Sequence, residues 1–394
     1  MIDRRDLETW AGFLLDHSIG GVDPGDRVMI KGEPVCWPLI SVLEEGVIKA
    51  GGVPDVYLVG PNNDRGKVWS AAMGRFGTAE QLAAVPDWHR ERYESMTKYI
   101  EVLGAEDPDQ FKGLDPEQAQ ALAAADRPFA NIRLSKPWVI TLYPTAAFAA
   151  MEGMTMEDFE SFIVGASTVD PRPLLDAEQR IAPLVDQGSE VRIVTRHPGE
   201  DRELELTMGI SQGRAAMSYG LRNFPDGEVF TSPDASSVEG EIFVDLPVSY
   251  GGHDIEGIHL TFNNGRIIGY RADTGHEHLA TIIETDDGSH RLGEVAFGMN
   301  PGLDRVLKHP LFVEKVGGTM HIAIGASYEH CYVEDPGSDE GRELIARLED
   351  EGVLNRSAQH VDIVTDFRPG GCGVSVHIDG NELVPRDGVW VAAG

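Results

Sequence analysis

Hydrophobic positions over residues 7–19 recur at helical spacing, with Leu7, Trp10, Phe13 and Leu14 on one side. Pro24-Gly25-Asp26 then predicts a turn. Val28-Met29-Ile30 reads as a strand, 36–50 as a helix with Leu39, Ile40, Leu43 and Ile48 inward, and Val53–Val59 as a second strand. Such a βαβ unit carries parallel strands. The pattern predicts helices over 87–103 and Pro116–Ala125, an apolar strand at Trp138–Leu142, and helices at Met156–Val164 and Leu174–Leu184.

Beyond Asp186-Gln187-Gly188 the period changes from helical to alternating. Glu190–Thr195, Leu204–Gly209, Ala215–Tyr219, Glu239–Leu246 and Ile255–Phe262 read as short strands at close intervals. Asn263-Asn264-Gly265 signals a hairpin, because Asn-Gly tolerates the positive φ of a tight turn. Ile267–Tyr270 continues beyond it, and helices fall near 276–285 and 341–350. The expected architecture is an α/β N-terminal domain with a parallel sheet (1–186) and a β-rich antiparallel C-terminal metal-binding domain (187–394). The acidic segment 329–359 reads as a long loop carrying a short helix.

Composition narrows the classes of function. Hydrophobic residues make up 41% and charged residues 25%, as in an ordinary folded chain. The formal net charge of -32 repels phosphate backbones and anionic bilayers, so neither nucleic acid nor a membrane is an expected partner. No apolar run is long enough to span a bilayer, and no apolar region follows Met1–Asp6 as in a signal peptide. Cys36, Cys331 and Cys372 form no C-x-x-C pair and no disulfide framework, which points to a reducing, cytoplasmic compartment.

Several motifs fail on context. Gly209-Ile210-Ser211-Gln212-Gly213 fits G-x-S-x-G, but a nucleophile elbow leads into a helix, and here another strand is expected. His276-Glu277-His278 starts like a zincin helix, yet Ala280 stands where the second histidine belongs. No dinucleotide or P-loop fingerprint is present.

Other residues carry more. His360-Val361-Asp362 heads an apolar strand, and residues two apart on a strand share a face, so both can reach one ion. Nitrogen with carboxylate suits Zn, Mn, Fe or Co. His321 lies in the short apolar strand after Gly317-Gly318, with Tyr328 just past its end. Glu294 interrupts the apolar run Leu292–Gly298, and a carboxylate buried there needs a cation or a proton. Glu228 stands between a turn and a strand.

At these residues the chain resembles the M29 family of metallo-aminopeptidases. The likeness runs through Pro24–Val28, Tyr143-Pro144-Thr145, Met154-Thr155-Met156, Pro225–Thr231, Gly257–Phe262, Arg291–Ala296, Asn300-Pro301-Gly302 and Gly317–His321. Counterparts of the family's site residues fall in order at Glu228, Glu294, His321, Tyr328, His360 and Asp362. The resemblance implies two close divalent ions (Zn, Co, Mn or Mg) held by these six, one carboxylate bridging, with Glu294 the expected bridge. Glu228, Glu294 and Tyr328 are the expected catalytic residues, Tyr328 as ligand or oxyanion donor. It further implies small peptide substrates, release of N-terminal amino acids, and a homodimer. The sequence departs from the family in its long acidic segment from Glu329 to Gln359 and in Val361, where the family has tryptophan.

Two other readings compete. Some relatives resemble 2,5-dihydroxypyridine dioxygenases, which would use a single Fe(II) on His321, His360 and Asp362; that site has no need of Glu228 or Glu294. The third is a binding protein with a vestigial site.

Overall fold

Val28, Met29 and Ile30 are consecutive and all fully buried, a run that belongs in a sheet covered on both faces. Their strand, Arg27–Gly32, lies inside a five-stranded sheet of order Val53–Leu58, Arg27–Gly32, Lys98–Leu103, Trp138–Leu142, Asn223–Phe224, with every neighbour parallel. The computed structural model describes residues 2–60, 68–107, 110, 113–199, 202–250 and 253–393. They fall into two units, Met1–Pro171 with Gly220–Asp226, and Arg172–Tyr219 with Gly227–Gly394.

In the first unit, helix Trp37–Lys49 turns Leu39, Ile40, Leu43 and Val47 inward, as its spacing predicts. Ile48, expected inward, is 58% exposed. The helix expected over 87–103 requires correction. Asp87–Ser95 is helical, Met96 turns to extended backbone, and Lys98–Leu103 is the central strand of the sheet. Tyr99, Ile100 and Val102 are all buried there, and this tertiary burial overrides the helical spacing. The helix begun at Pro116 also runs further than expected, to Leu134.

Helix Arg172–Gln187 precedes the expected boundary at Asp186 but packs in the second unit, where Ile181, Ala182 and Val185 join the core. Residues 220–226 return to the first unit and supply its short fifth strand.

The second unit is built on two main antiparallel sheets, beside a two-stranded pair of Val248–Tyr250 and His253–Ile255. The larger has eight strands, ordered Arg266–Arg271, Ile258–Asn263, Glu239–Val244, Glu203–Gly209, Glu190–Arg196, Gly373–Ile378, Asn381–Arg386, Val389–Ala392. The smaller has five, ordered His360–Asp366, Thr319–Gly325, Leu292–Gly298, Glu228–Thr231, Ala216–Ser218. Ile193, Leu206, Ile242, Leu260 and Val376 of the larger sheet share one core with Val295, Phe297, Ile322 and Ile363 of the smaller.

The strand expected over Ile255–Phe262 is broken into His253–Ile255 and Ile258–Asn263, with Gly257 between them at φ 63°. Asn264 (φ 49°) and Gly265 (φ 76°) form the expected hairpin turn. Gly209–Gly213 also leaves a strand through a turn and leads to strand Ala216–Ser218, not to a helix.

The acidic segment 329–359 carries helix Asp339–Asp350, capped by Ser338. Tyr332, Ile345, Leu348, Val353 and Leu354 give it a small core of its own. The Tyr332 hydroxyl ties it down by donating to the Pro233 carbonyl at 3.2 Å. Among the described residues no helix is long and apolar enough to cross a membrane.

Candidate metal centre

The smaller sheet separates packing from chemistry by strand alternation. Val229, Val295, Phe297, Met320, Ile322, Ile324, Val361 and Ile363 point into the shared core. The intervening positions point the other way. Ala323 pairs with both Glu294 and Asp362, Gly325 with His360, and Gly298 with Glu228, so these ligand candidates and His321 share one face. Ala296 and Ala323 lie between the ligand candidates and leave room above the sheet.

Glu294 reaches that face through a bulge. Strict alternation from Leu292, which is in the core, would direct Glu294 into the core as well. The register shifts between Leu292 and Glu294, and the extra residue, Gly293, turns the carboxylate outward. A Cβ on Gly293 would stand 2.1 Å from the carbonyl oxygen of Ala326, so only glycine fits.

The side chains meet at ligand spacing. His321 Nε2 is 2.9 Å from Glu294 Oε1 and 3.8 Å from Glu228 Oε2. His360 Nε2 is 3.5 Å from Glu294 Oε2 and 3.4 Å from Asp362 Oδ1. Donors around one tetrahedral ion lie about 3.4 Å apart, which three of these four separations approach. Two sets of potential ligand atoms therefore share one residue: Glu228, Glu294 and His321 in one, Glu294, His360 and Asp362 in the other, each within 4.8 Å. Glu228 Oε2, Glu294 Oε2 and Asp362 Oδ1 are buried with no hydrogen-bond partner, as befits atoms meant for cations.

His360 is oriented from behind. Its Nδ1–H donates to the Ala326 carbonyl at 2.8 Å, which leaves Nε2 facing Glu294 and Asp362. The electrostatics describe a site crowded with negative charge. Burial alone would lower the pKa of both histidines, but the carboxylates prevail. The Glu294 hydrogen bond and the charge of Asp362 raise His321 to about 9. Asp362 and Glu294 raise His360 to about 11. Burial opposes ionisation of Glu294 and Asp362, yet the histidines hold both carboxyls below their ordinary range.

Two members of the centre carried no sequence signal. Glu314 and Lys315 follow the short helix Pro310–Val313 on an irregular turn, where no periodicity marks them. Lys315 Nζ lies 3.1 Å from Glu228 Oε1 and 3.5 Å from Glu314 Oε1. Glu314 forms a third set of close ligand atoms with His321 and Asp362. Burial, with Asp362 and Glu228 nearby, pushes its carboxyl well above the usual range despite Lys315.

Tyr328 stands at the open side, 40% exposed, with its ring centroid 4.4 Å from that of His360 and 6.0 Å from that of Phe230. The two histidines fall in different sets, and His321, His360 and Asp362 do not form a set of their own among the described residues. His276 and His278 lie elsewhere, on helix His276–Ile283, where His278 stacks on His253 at 3.9 Å.

A carboxylate-rich histidine centre on one face of an antiparallel sheet is the donor set of a divalent-metal enzyme. The chain belongs to the thermophilic metalloprotease family M29, whose family model matches residues 3–388, and it is thus a hydrolase of that class. It is 31% identical to aminopeptidase T of Thermus aquaticus over 72% of this chain and 76% of that one. The fold is similar to that of wild-type AmpT from Thermus thermophilus, with a TM-score of 0.73, 21% identity, and coverage of 99% of this chain and 98% of that one. It is also similar to 2,5-dihydroxypyridine dioxygenase from Pseudomonas putida KT2440, with a TM-score of 0.56, 13% identity, and the same coverage.

Proposed function

We propose that this protein is a metal-dependent aminopeptidase that removes N-terminal residues from small peptides at a two-metal centre. The observation that carries the reading is the position of Glu294, whose two oxygens face different histidines, His321 and His360. Glu228, Glu294 and His321 would hold one divalent ion, and Glu294, His360 and Asp362 the other. Zn, Co, Mn and Mg are the candidate metals. When bound, such a pair supplies a water of near-neutral pKa and an electrophile for the scissile carbonyl.

The chain's own residues supply the rest. The Ala326 carbonyl fixes the ring of His360. Lys315 occupies Glu228 Oε1 and leaves Oε2 facing His321. Tyr328, whose ring lies against that of His360, would donate its hydroxyl hydrogen to a developing oxyanion. Cytoplasmic location and a homodimer belong to the same reading. Light scattering giving twice the chain mass of 42.9 kDa supports the dimer, and a single mass refutes it.

The distribution of His321 and His360 over two sets weighs against a single-iron dioxygenase, as does the retention of Glu228 and Glu294. The deciding experiment counts metals per chain and assays two substrates. Hydrolysis of leucine p-nitroanilide with about two divalent ions per chain supports the peptidase. Oxygen uptake on 2,5-dihydroxypyridine with one iron overturns it.

A further inference from the structure

Glu228, Glu294, His321, His360 and Asp362 complete the two sets of ligand atoms that meet at Glu294. One carboxylate at the centre belongs to neither. Glu314 instead approaches one residue from each, His321 of the first set and Asp362 of the second, within 4.8 Å. It thus lies beside both halves of the centre at once. Its side chain is 16% exposed, against 4% for Glu294 and 8% for Glu228, so it is more open to an incoming molecule than they are. Lys315, only 2% exposed, contacts both Glu314 and Glu228 and holds Glu314 in place from the protein side.

A peptidase confined to chain ends must distinguish a free α-amino group from an internal peptide N–H. The amino group differs in its charge and in offering up to three donors. The natural complement is an anionic acceptor fixed next to the hydrolytic atoms but not consumed in holding them. Glu314 has that placement, and an incoming ammonium would join Lys315 in supplying the positive charge that an ionised carboxylate buried there requires. We propose that the Glu314 carboxylate accepts the free α-amino group of the substrate's first residue, and so restricts the enzyme to peptides with an unblocked N-terminus. The inference rests on the aminopeptidase reading and adds to it the residue that recognises the amine.

The test compares metal-loaded wild type with Glu314→Gln and Glu314→Asp. Metal content per chain is measured first. Titration calorimetry then follows L-leucine and its amine-free analogue 4-methylpentanoate, and KM is taken for leucine p-nitroanilide. The expected result for Glu314→Gln is unchanged metal content and unchanged 4-methylpentanoate affinity. Leucine affinity falls and KM rises about 10- to 100-fold, the effect of one charge-assisted hydrogen bond. Glu314→Asp keeps the charge and recovers part of the loss. Loss of a metal equivalent in Glu314→Gln would make Glu314 a ligand and overturn the inference. So would equal changes for leucine and 4-methylpentanoate, or no change for either. Wild type that holds metal but neither binds leucine nor cleaves the anilide overturns the aminopeptidase reading, and the inference with it.

Discussion

His360 and Gly293 depend on the same atom. The Ala326 carbonyl accepts the Nδ1–H of His360 at 2.8 Å, and a Cβ on Gly293 would stand 2.1 Å from that oxygen. The bulge that turns Glu294 outward therefore also preserves the support behind His360.

Gly293→Ala should disturb both groups at once. The displaced carbonyl releases His360, and overpacking of this kind costs about 1–3 kcal/mol. Urea denaturation should show that loss, and metal titration should show weaker binding. Full stability together with full metal affinity would refute the shared dependence.

Glu294 is common to two of the three sets of close ligand atoms. Glu294→Ala should reduce metal content by at least one ion per chain and lower kcat about a thousandfold or more, as for loss of a group on which other catalytic groups depend. Elemental analysis beside the anilide assay checks this. Retention of wild-type metal content would show that Glu294 bridges nothing.

Lys315 and Glu228 form an ion pair at 3.1 Å, with side-chain exposures of 2% and 8%. Removing one partner of such a pair leaves a buried charge uncompensated, at a cost of about 3–5 kcal/mol. In Lys315→Met that cost should be largest after chelation, because bound cations would take over the charge of Glu228. Thermal melts of wild type and variant, each with and without chelator, read the difference. Equal destabilisation in both states would contradict it.

His89 gives a pH effect in the first unit, far in sequence from the candidate metal ligands. It is 2% exposed among the rings of Tyr57, Trp88, Tyr93 and Phe129. Burial, aided by Lys31 and Arg92, lowers its pKa from 6.5 to about 4. Between those values the unfolded chain takes up a proton that the folded chain refuses, so stability falls as pH drops from 6.5 toward 4. His89→Phe should flatten this decline by at most about 3 kcal/mol. Urea midpoints across that range test it, and parallel pH profiles for the two proteins would exclude His89 as the source.

Legibility of the sequence followed periodicity. His360 and Asp362, two apart at the head of an apolar strand, share a face because a strand repeats every two residues. Glu294 stood out as a carboxylate in an apolar run, and it is 3% exposed. The run also held the bulge in plain view: core residues Leu292, Val295 and Phe297 are spaced three and then two apart. Glu314 and Lys315 were invisible because an irregular turn has no period, and only the folded chain brings them to Glu228 and Asp362. Lys98–Leu103 follows a true helix so closely that the helical spacing runs into it, and its place between two other strands comes from non-local pairing. The residues of 220–226 carry no local sign that they join a strand some eighty positions earlier, at Trp138–Leu142.

The alternation along the smaller sheet has an evolutionary consequence. Positions that bind its two layers together and positions that face the reaction are interleaved but do not overlap. The second set can therefore exchange one donor for another, and with it one chemistry for another, without touching the residues that pack the first. Ala323, flanked by Glu294 and Asp362, marks the limit of that freedom, because any larger side chain there would take up the volume in which new reactivity has to arise.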